Sequence, residues 1–364
     1  MKKALVIHPR FSVYGGGEIL CMYVCKTLQE SGYDVTLASD LYEPDKIEAM
    51  YGLGSTMKNC DWTQIPVFKP RLIRRMMAVR RMFYARKVVD MFKDSDADIV
   101  FSTQSSIFSI PNRRMYHFLY DIADLFRYGG PGPIALAGDS WYWHLYYWAA
   151  RKMRGPLLGP TATQFFALGT KVLEDLRMNG YDNSSLVYPP CQMSFKPDRK
   201  EKYVLQACRV VPQKRLELFI DVARRLPQYR FIIAGLESPL HPGYKDRLLA
   251  NAPKNLSCLE TPLRTQPSLV EKAKVYLYTG IEPGIGIALV EAIGAGCIPV
   301  CPVEGGGGEV VRAAKVGFQY RTLGEAVTLV RNALEDTGYR PELIREQARI
   351  FSPEVFQERI KQLL

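Results

Sequence analysis

The sequence predicts an α/β protein built from two doubly wound parallel-sheet domains, and three observations carry that prediction. Its 364 residues exceed the needs of one such domain and give each of two enough chain to bury its own core. Short apolar runs rich in Val, Ile, Tyr and Phe alternate with helical patterns, which is the signature of strand–helix–strand units. Near the middle, Pro189, Pro190 and the charged run FKPDRKEK from Phe195 break the alternation, which restarts at KYVLQACR. The expected domains are residues 1–192 and 200–351.

The first half opens with a strand over residues 3–8 (KALVIH), followed by the loop FSVYGGG and a helix from near Glu18 to Ser31 and Gly32. Further strands fit DVTLAS from Asp34, DIVFST from Asp98, RMYHFLY from Arg114 and TQFFALG from Thr163. The second half repeats the scheme with YVLQA, RFIIAG, NLSCL, KVYLYT and CIPVC. Its helices include Lys214 to Arg225 and a turn of helix over Glu291 to Gly294. In the tail FSPEVFQERIKQLL, Ser352 is placed as N-cap, Pro353 in the first helical position and Glu354 in the first turn.

Composition narrows the class. An apolar fraction of 47% and a charged fraction of 23% belong to a globular protein, and no uncharged apolar run reaches the roughly 20 residues that span a bilayer. The opening MKKALVIHP reads as a first strand rather than a signal peptide, because its apolar run stops at His8, Pro9 and Arg10. Eight scattered cysteines with no CxxC pair suggest buried thiols in a reducing compartment.

The net charge of +11 is unevenly spread. Between Asp61 and Asp90 no acidic residue occurs, while Lys69, Arg71, Arg74, Arg75, Arg80, Arg81, Arg86 and Lys87 interleave with apolar residues at helical spacing. This predicts a basic amphipathic helix, able to lie against an anionic membrane or to pack its apolar stripe on a sheet. A second cluster joins Trp141, Trp143, Tyr146, Tyr147 and Trp148 to Arg151, Lys152 and Arg154, a mixture suited to a water–lipid interface or to core packing. No nucleic-acid-binding module is recognizable.

The chemistry concentrates between Val275 and Val310. There two apolar strands run into glycine turns that open helices, and a carboxylate stands beside each turn: Glu282 with GIGI (Gly284, Ile285, Gly286, Ile287) leading to Glu291, and Gly306 and Gly307 leading to Glu309. Helix N-termini concentrate about half a positive charge, so such turns suit phosphates. Upstream, the first strand of the same half leads to Arg209 and then Lys214, two cations at a strand's carboxyl end and placed to neutralize a diphosphate. The crevice at the carboxyl ends of the strands is the expected ligand site. In the first half, Gly15, Gly16 and Gly17 precede Glu18 without the G-x-G-x-x-G order of a dinucleotide site. His117 lies in an apolar strand, where a histidine is more often a core residue than a functional one.

On these motifs the chain resembles a retaining GT-B glycosyltransferase of family four, over nearly its whole length. The matching segments are GGGE, YHF, VYPP, ACR to Lys214, YTGIEPGIGIALVEAIGAGCIPV and GGGGEVV. Their wording is nearest the archaeal and lipid-linked-oligosaccharide mannosyltransferase-like branch. The resemblance implies two Rossmann-like domains facing a cleft, with the C-terminal helix 352–364 returning to the first. It implies that Arg209 and Lys214 contact the donor diphosphate, that Glu291 binds the ribose, and that Gly284 to Ile287 with Glu282 hold the sugar. It places Gly306, Gly307 and Glu309 near the sugar and phosphates, Gly16 and Gly17 against the phosphates, and the base by Leu259 to Leu263. His117 would touch donor sugar or acceptor, with Asp121 and Asp124 nearby. Eight residues rather than the family's seven separate Glu282 from Glu291, so a one-residue bulge at Gly284 is expected to keep Glu282 at the sugar.

The resulting expectation is a metal-independent, retaining hexosyltransferase without a cofactor. It would move a hexose, with mannose the candidate, from a GDP- or UDP-linked donor to a lipid-linked or glycan acceptor. Arg74, Arg75, Arg80 and Arg81 would hold it at the inner face of a membrane. A GT-B sugar-nucleotide epimerase and a non-catalytic basic binding protein on the same shell are the alternatives.

Overall fold

The computed structural model describes residues 2–8, 11, 16–65, 77–103, 108–120, 163–193, 195–238, 241–261, 266–282 and 284–364. The chain divides into two compact units, Met1–Pro190 with Phe356–Leu364, and Cys191–Val355.

Unit 1 holds a seven-stranded sheet of β1 (Lys2–His8), β2 (Tyr33–Ser39), β3 (Asp61–Gln64), β4 (Ile99–Ser102), β5 (Arg114–Leu119), β6 (Thr163–Ala167) and β7 (Ser184–Leu186). The order is β3-β2-β1-β4-β5-β6-β7 and every pairing is parallel. Strand order therefore reverses between β1 and β4, the switch point at which such sheets leave a crevice beyond the strand ends. Helix Gly16–Glu30 covers one face through Leu20, Val24 and Leu28, which pack with Val6, Val35 and Phe101.

Helix Met77–Phe92 covers the other face. Its Ala85, Val88 and Phe92 pack with Leu5, Ile7 and Val100, while Arg86 and Lys87 are exposed. The apolar stripe of the basic helix is thus spent on the sheet over its described part. Lys69, Arg71, Arg74 and Arg75 lie outside the described residues, as do Asp121, Asp124 and the aromatic cluster around Trp141. Among the described residues no helix is long and apolar enough to cross a membrane.

The last residues close unit 1. Phe356 and Ile360, on helix Pro353–Lys361, enter the same core as Leu20, Lys361 pairs with Glu30 at 2.9 Å, and the Tyr116 hydroxyl donates to the Leu363 carbonyl at 3.1 Å.

Unit 2 holds β8 (Glu201–Ala207), β9 (Arg230–Ala234), β10 (Leu256–Leu259), β11 (Ala273–Leu277), β12 (Ile298–Pro302) and β13 (Phe318–Tyr320). They are ordered β10-β9-β8-β11-β12-β13, again all parallel, with the reversal between β8 and β11. β11 and β12 are buried along their whole length, as strands covered on both faces must be.

Two buried lysine stems serve structure rather than ligand. Lys274 Nζ donates to the carbonyls of Leu334 at 2.8 Å and Asp336 at 2.6 Å, closing the end of helix Leu323–Glu335. Lys200 Nζ does the same for Glu271 and Ala295, each at 2.6 Å. A cation at a helix C-terminus satisfies carbonyls that have no partner within the helix. Lys274→Met should therefore strand two carbonyls and lower stability by about 1–3 kcal/mol, measured by urea unfolding. An unchanged midpoint would show that solvent satisfies them instead.

Candidate functional site

The carboxyl edge of the second sheet gathers the predicted residues. β8 ends at Ala207, and two residues later Arg209 stands exposed, with no ion pair among the described residues. The expected helix from Lys214 is resolved into three parts: a tight turn over Pro212–Lys214, Arg215 in the left-handed region at φ 50°, and helix Leu216–Arg225. A non-glycine residue in that region costs about 1–2 kcal/mol, so the turn is held by its neighbours. Thr279 supplies the hold, its hydroxyl donating to the Lys214 carbonyl at 2.5 Å.

Across the switch point, β11 runs out into Tyr278, Thr279 and Glu282. Lys214 Nζ reaches the Glu282 carboxylate at 2.6 Å, and it lies 5.8 Å from the centroid of the Tyr278 ring. Both charged side chains are partly exposed, at 19% and 34%, so ligand can reach them. Despite the extra residue in the sequence, Glu282 stands in the site beside Lys214. Pro283, in the register of the family's first glutamate, lies outside the described residues.

The glycines divide by what surrounds them. Among the described residues nothing lies within 4 Å of the point where a Gly284 side chain would start, and Gly284 to Ile287 are half-buried at the head of helix Ile287–Gly294. Gly306 and Gly307 are buried. A Cβ on Gly306 would fall 2.1 Å from the Gly284 carbonyl oxygen, one on Gly307 2.4 Å from the Tyr278 ring, and one on Gly308 2.3 Å from the Val303 carbonyl oxygen. The Gly306 amide donates to the Glu282 carbonyl at 2.8 Å. The second glycine run therefore lets two turns press together, a packing reason for residues that the resemblance places near the sugar and phosphates. Glu291 and Glu309, each 5% exposed, lie on the two helices that these turns open.

In unit 1, Gly16 and Gly17 begin helix Gly16–Glu30, and Gly15 lies outside the described residues. Among the described residues, a Cβ on Gly17 would meet His8, at 3.6 Å. His117 is wholly buried: Nε2 sits 2.9 Å from the Phe108 carbonyl and its ring stacks on Phe165 at 5.7 Å. Among the described residues, Phe108 and Phe165 enclose it.

Sequence reasoning passed over His8. It ends β1 at the switch point, with Nδ1 2.8 Å from the Thr103 hydroxyl and Nε2 3.8 Å from Glu18. Burial opposes its charge, yet Cys21 and Glu18 outweigh burial and raise its pKa to about 9. The signal available was its place, the last residue of the first strand before a glycine loop. Among the described residues, no group of three His, Cys, Asp or Glu side chains is disposed to hold a metal ion.

Residues 192–349 match the family model described as glycosyl transferases group 1. Among curated proteins none matches the chain. Among solved structures, HepE from Anabaena in complex with UDP and glucose is similar with a TM-score of 0.70 and 14% identity, covering 100% of this chain and 99% of that one. Sucrose-phosphate synthase from Thermosynechococcus elongatus gives 0.71 and 12%, covering 100% and 98%. WaaG, a glycosyltransferase involved in lipopolysaccharide biosynthesis, gives 0.69 and 16%, covering 99% of each. These likenesses establish the fold, two parallel-sheet α/β domains of the GT-B kind.

The glycine contrast yields a paired test. Gly284→Ala should leave the urea midpoint unchanged, within about 0.5 kcal/mol, because its Cβ meets nothing within 4 Å among the described residues. Gly306→Ala should lose about 1–3 kcal/mol through overpacking against a backbone carbonyl. Equal effects from the two would refute the division.

Proposed function

We propose that the chain is a retaining, metal-independent hexosyltransferase that draws on a nucleotide-diphosphate sugar. One observation carries the reading. Lys214 pairs with Glu282 at the switch-point edge of a sheet lying inside the matched glycosyl transferases group 1 segment, the turn at Gly284 opens the next helix, and Arg209 stands exposed two residues beyond β8 on the same edge. HepE, solved with UDP and with UDP-glucose, supports a nucleotide sugar as donor. Mannose as the hexose rests on the motif resemblance.

The chemistry follows from charge. A diphosphate carries more negative charge than one carboxylate, so it competes with Glu282 for Lys214 and gains Arg209 as a second cation. As the bond from the anomeric carbon to the phosphate oxygen breaks, the two cations stabilize the charge growing on the leaving group. The acceptor hydroxyl attacks from the same face and passes its proton to the departing phosphate oxygen, so configuration is retained without a covalent carboxylate. Glu282, released from Lys214, accepts hydrogen bonds from sugar hydroxyls, and Glu291 does so from the ribose.

For the acceptor, a lipid-linked or glycan molecule at the cytoplasmic face of a membrane is the reading. The involvement of WaaG in lipopolysaccharide biosynthesis supports it, as do exposed Arg86 and Lys87 on helix Met77–Phe92, whose sequence also includes Arg80 and Arg81. The eight cysteines, all free, suit a reducing compartment.

Thermal shift with UDP, GDP, ADP and their sugar conjugates tests the donor site. A ligand at about 100 times its dissociation constant should stabilize by roughly 2.7 kcal/mol, with one base preferred, and Arg209→Ala should abolish the shift. Stabilization that survives Arg209→Ala would contradict the assignment. Charge reversal at Arg74, Arg75, Arg80 and Arg81 should release the protein from anionic vesicles in sedimentation; undiminished binding would remove the membrane from the account.

A further inference from the structure

Unit 2 contains five buried tyrosines, and four spend their hydroxyls on protein. Tyr203 donates to the Leu269 carbonyl at 2.6 Å, Tyr244 to Glu217 at 2.7 Å, Tyr276 to the Ala207 carbonyl at 2.8 Å and Tyr320 to the Tyr278 carbonyl at 3.0 Å. The fifth is Tyr278. It is 3% exposed, and its hydroxyl has no hydrogen-bond partner among the described residues. A buried hydroxyl without a partner costs about 1–3 kcal/mol, so its retention needs a reason.

Its surroundings supply one. The ring is gripped by glycines: a Cβ on Gly307 would fall 2.4 Å from it, and one on Gly286 3.0 Å from it. Those absent side chains make room for the ring and fix its direction. A side chain begun on Gly280 would meet the Tyr278 hydroxyl at 3.2 Å and Glu282 Oε2 at 3.1 Å, so phenol and carboxylate are close neighbours beside this glycine. Burial first, and then the charge of Glu282, hold the phenol above its ordinary pKa, and it stays an O–H donor.

We propose that Tyr278 is a donor-sugar recognition residue, its hydroxyl acting with the Glu282 carboxylate to bind one sugar hydroxyl. The assignment rests on the donor-site reading above and adds a residue to it. A sugar hydroxyl both accepts and donates, so it can accept a hydrogen bond from the phenol and donate one to the carboxylate. A phosphate oxygen accepts only and is repelled by Glu282, so the pair selects the sugar rather than the diphosphate. Because Lys214 holds Glu282 in the free protein, the carboxylate becomes available when the diphosphate engages Lys214. Rigid placement of the ring by glycines keeps the phenol ready without loss of side-chain freedom on binding.

Calorimetric titration of wild type and Tyr278→Phe with UDP and UDP-glucose, and with GDP and GDP-mannose, separates the possibilities. In the pair that wild type binds, the variant should keep its affinity for the bare nucleoside diphosphate within twofold. It should lose about fivefold for the sugar conjugate, the worth of one hydrogen bond. Its melting temperature should be unchanged or higher, since an unpartnered buried hydroxyl is removed. Equal loss for both ligands, no loss for either, or a lower melting temperature would overturn the role of Tyr278 while leaving the donor site standing. Binding of neither pair by wild type would overturn the donor reading and this assignment with it.

Discussion

The hydrogen bond from the Gly306 amide to the Glu282 carbonyl, 2.8 Å long, is the constraint on which the second unit's candidate site depends. It joins the turn after β11 to the turn after β12, and it forms only because Gly306 carries no Cβ to strike the Gly284 carbonyl. Once the turns are joined, the Glu282 side chain is directed at Lys214, and the glycine walls close around the Tyr278 ring. A similar tie acts from the other side of the switch point, where Thr279 holds the turn that presents Lys214. Charge and shape at the site are thus consequences of backbone contact between loops, in keeping with function placed on loops over a rigid sheet.

The parallel sheet explains why the residues meet at all. β8 and β11 are neighbours at the reversal of strand order, so their carboxyl ends release Arg209 and Glu282 on the same edge, although 73 positions separate them in the chain. Unit 1 repeats the arrangement with β1 and β4, whose ends bring His8 to Thr103.

Much of this was legible in the sequence because buried parallel strands and glycine turns are local signals. The strands of both cores, the break after Pro190 and the convergence of Arg209, Lys214 and the GIGI turn followed from runs of Val, Ile and Tyr and from the positions of glycine. β3, β7 and β13 did not, because they are sheet-edge strands of three or four residues, DWTQ, SSL and FQY, with no apolar run to mark them. The start of helix Leu216–Arg225 was set two residues early, since the left-handed Arg215 is imposed by tertiary contacts rather than by propensity. Three side-chain facts also escaped: the helix-closing role of Lys274, the partners of His8, and the glycine cage of Tyr278. Each joins residues far apart in sequence, which periodicity cannot report.

The central claim, that the carboxyl edge of the second sheet receives a nucleotide diphosphate, is tested most directly by hydrogen–deuterium exchange with saturating UDP or GDP. Slowed exchange confined to amides of residues 209–214, 279–287 and 304–309 is the result the account predicts. Binding shown by calorimetry but with protection elsewhere, and none in those three segments, would contradict it.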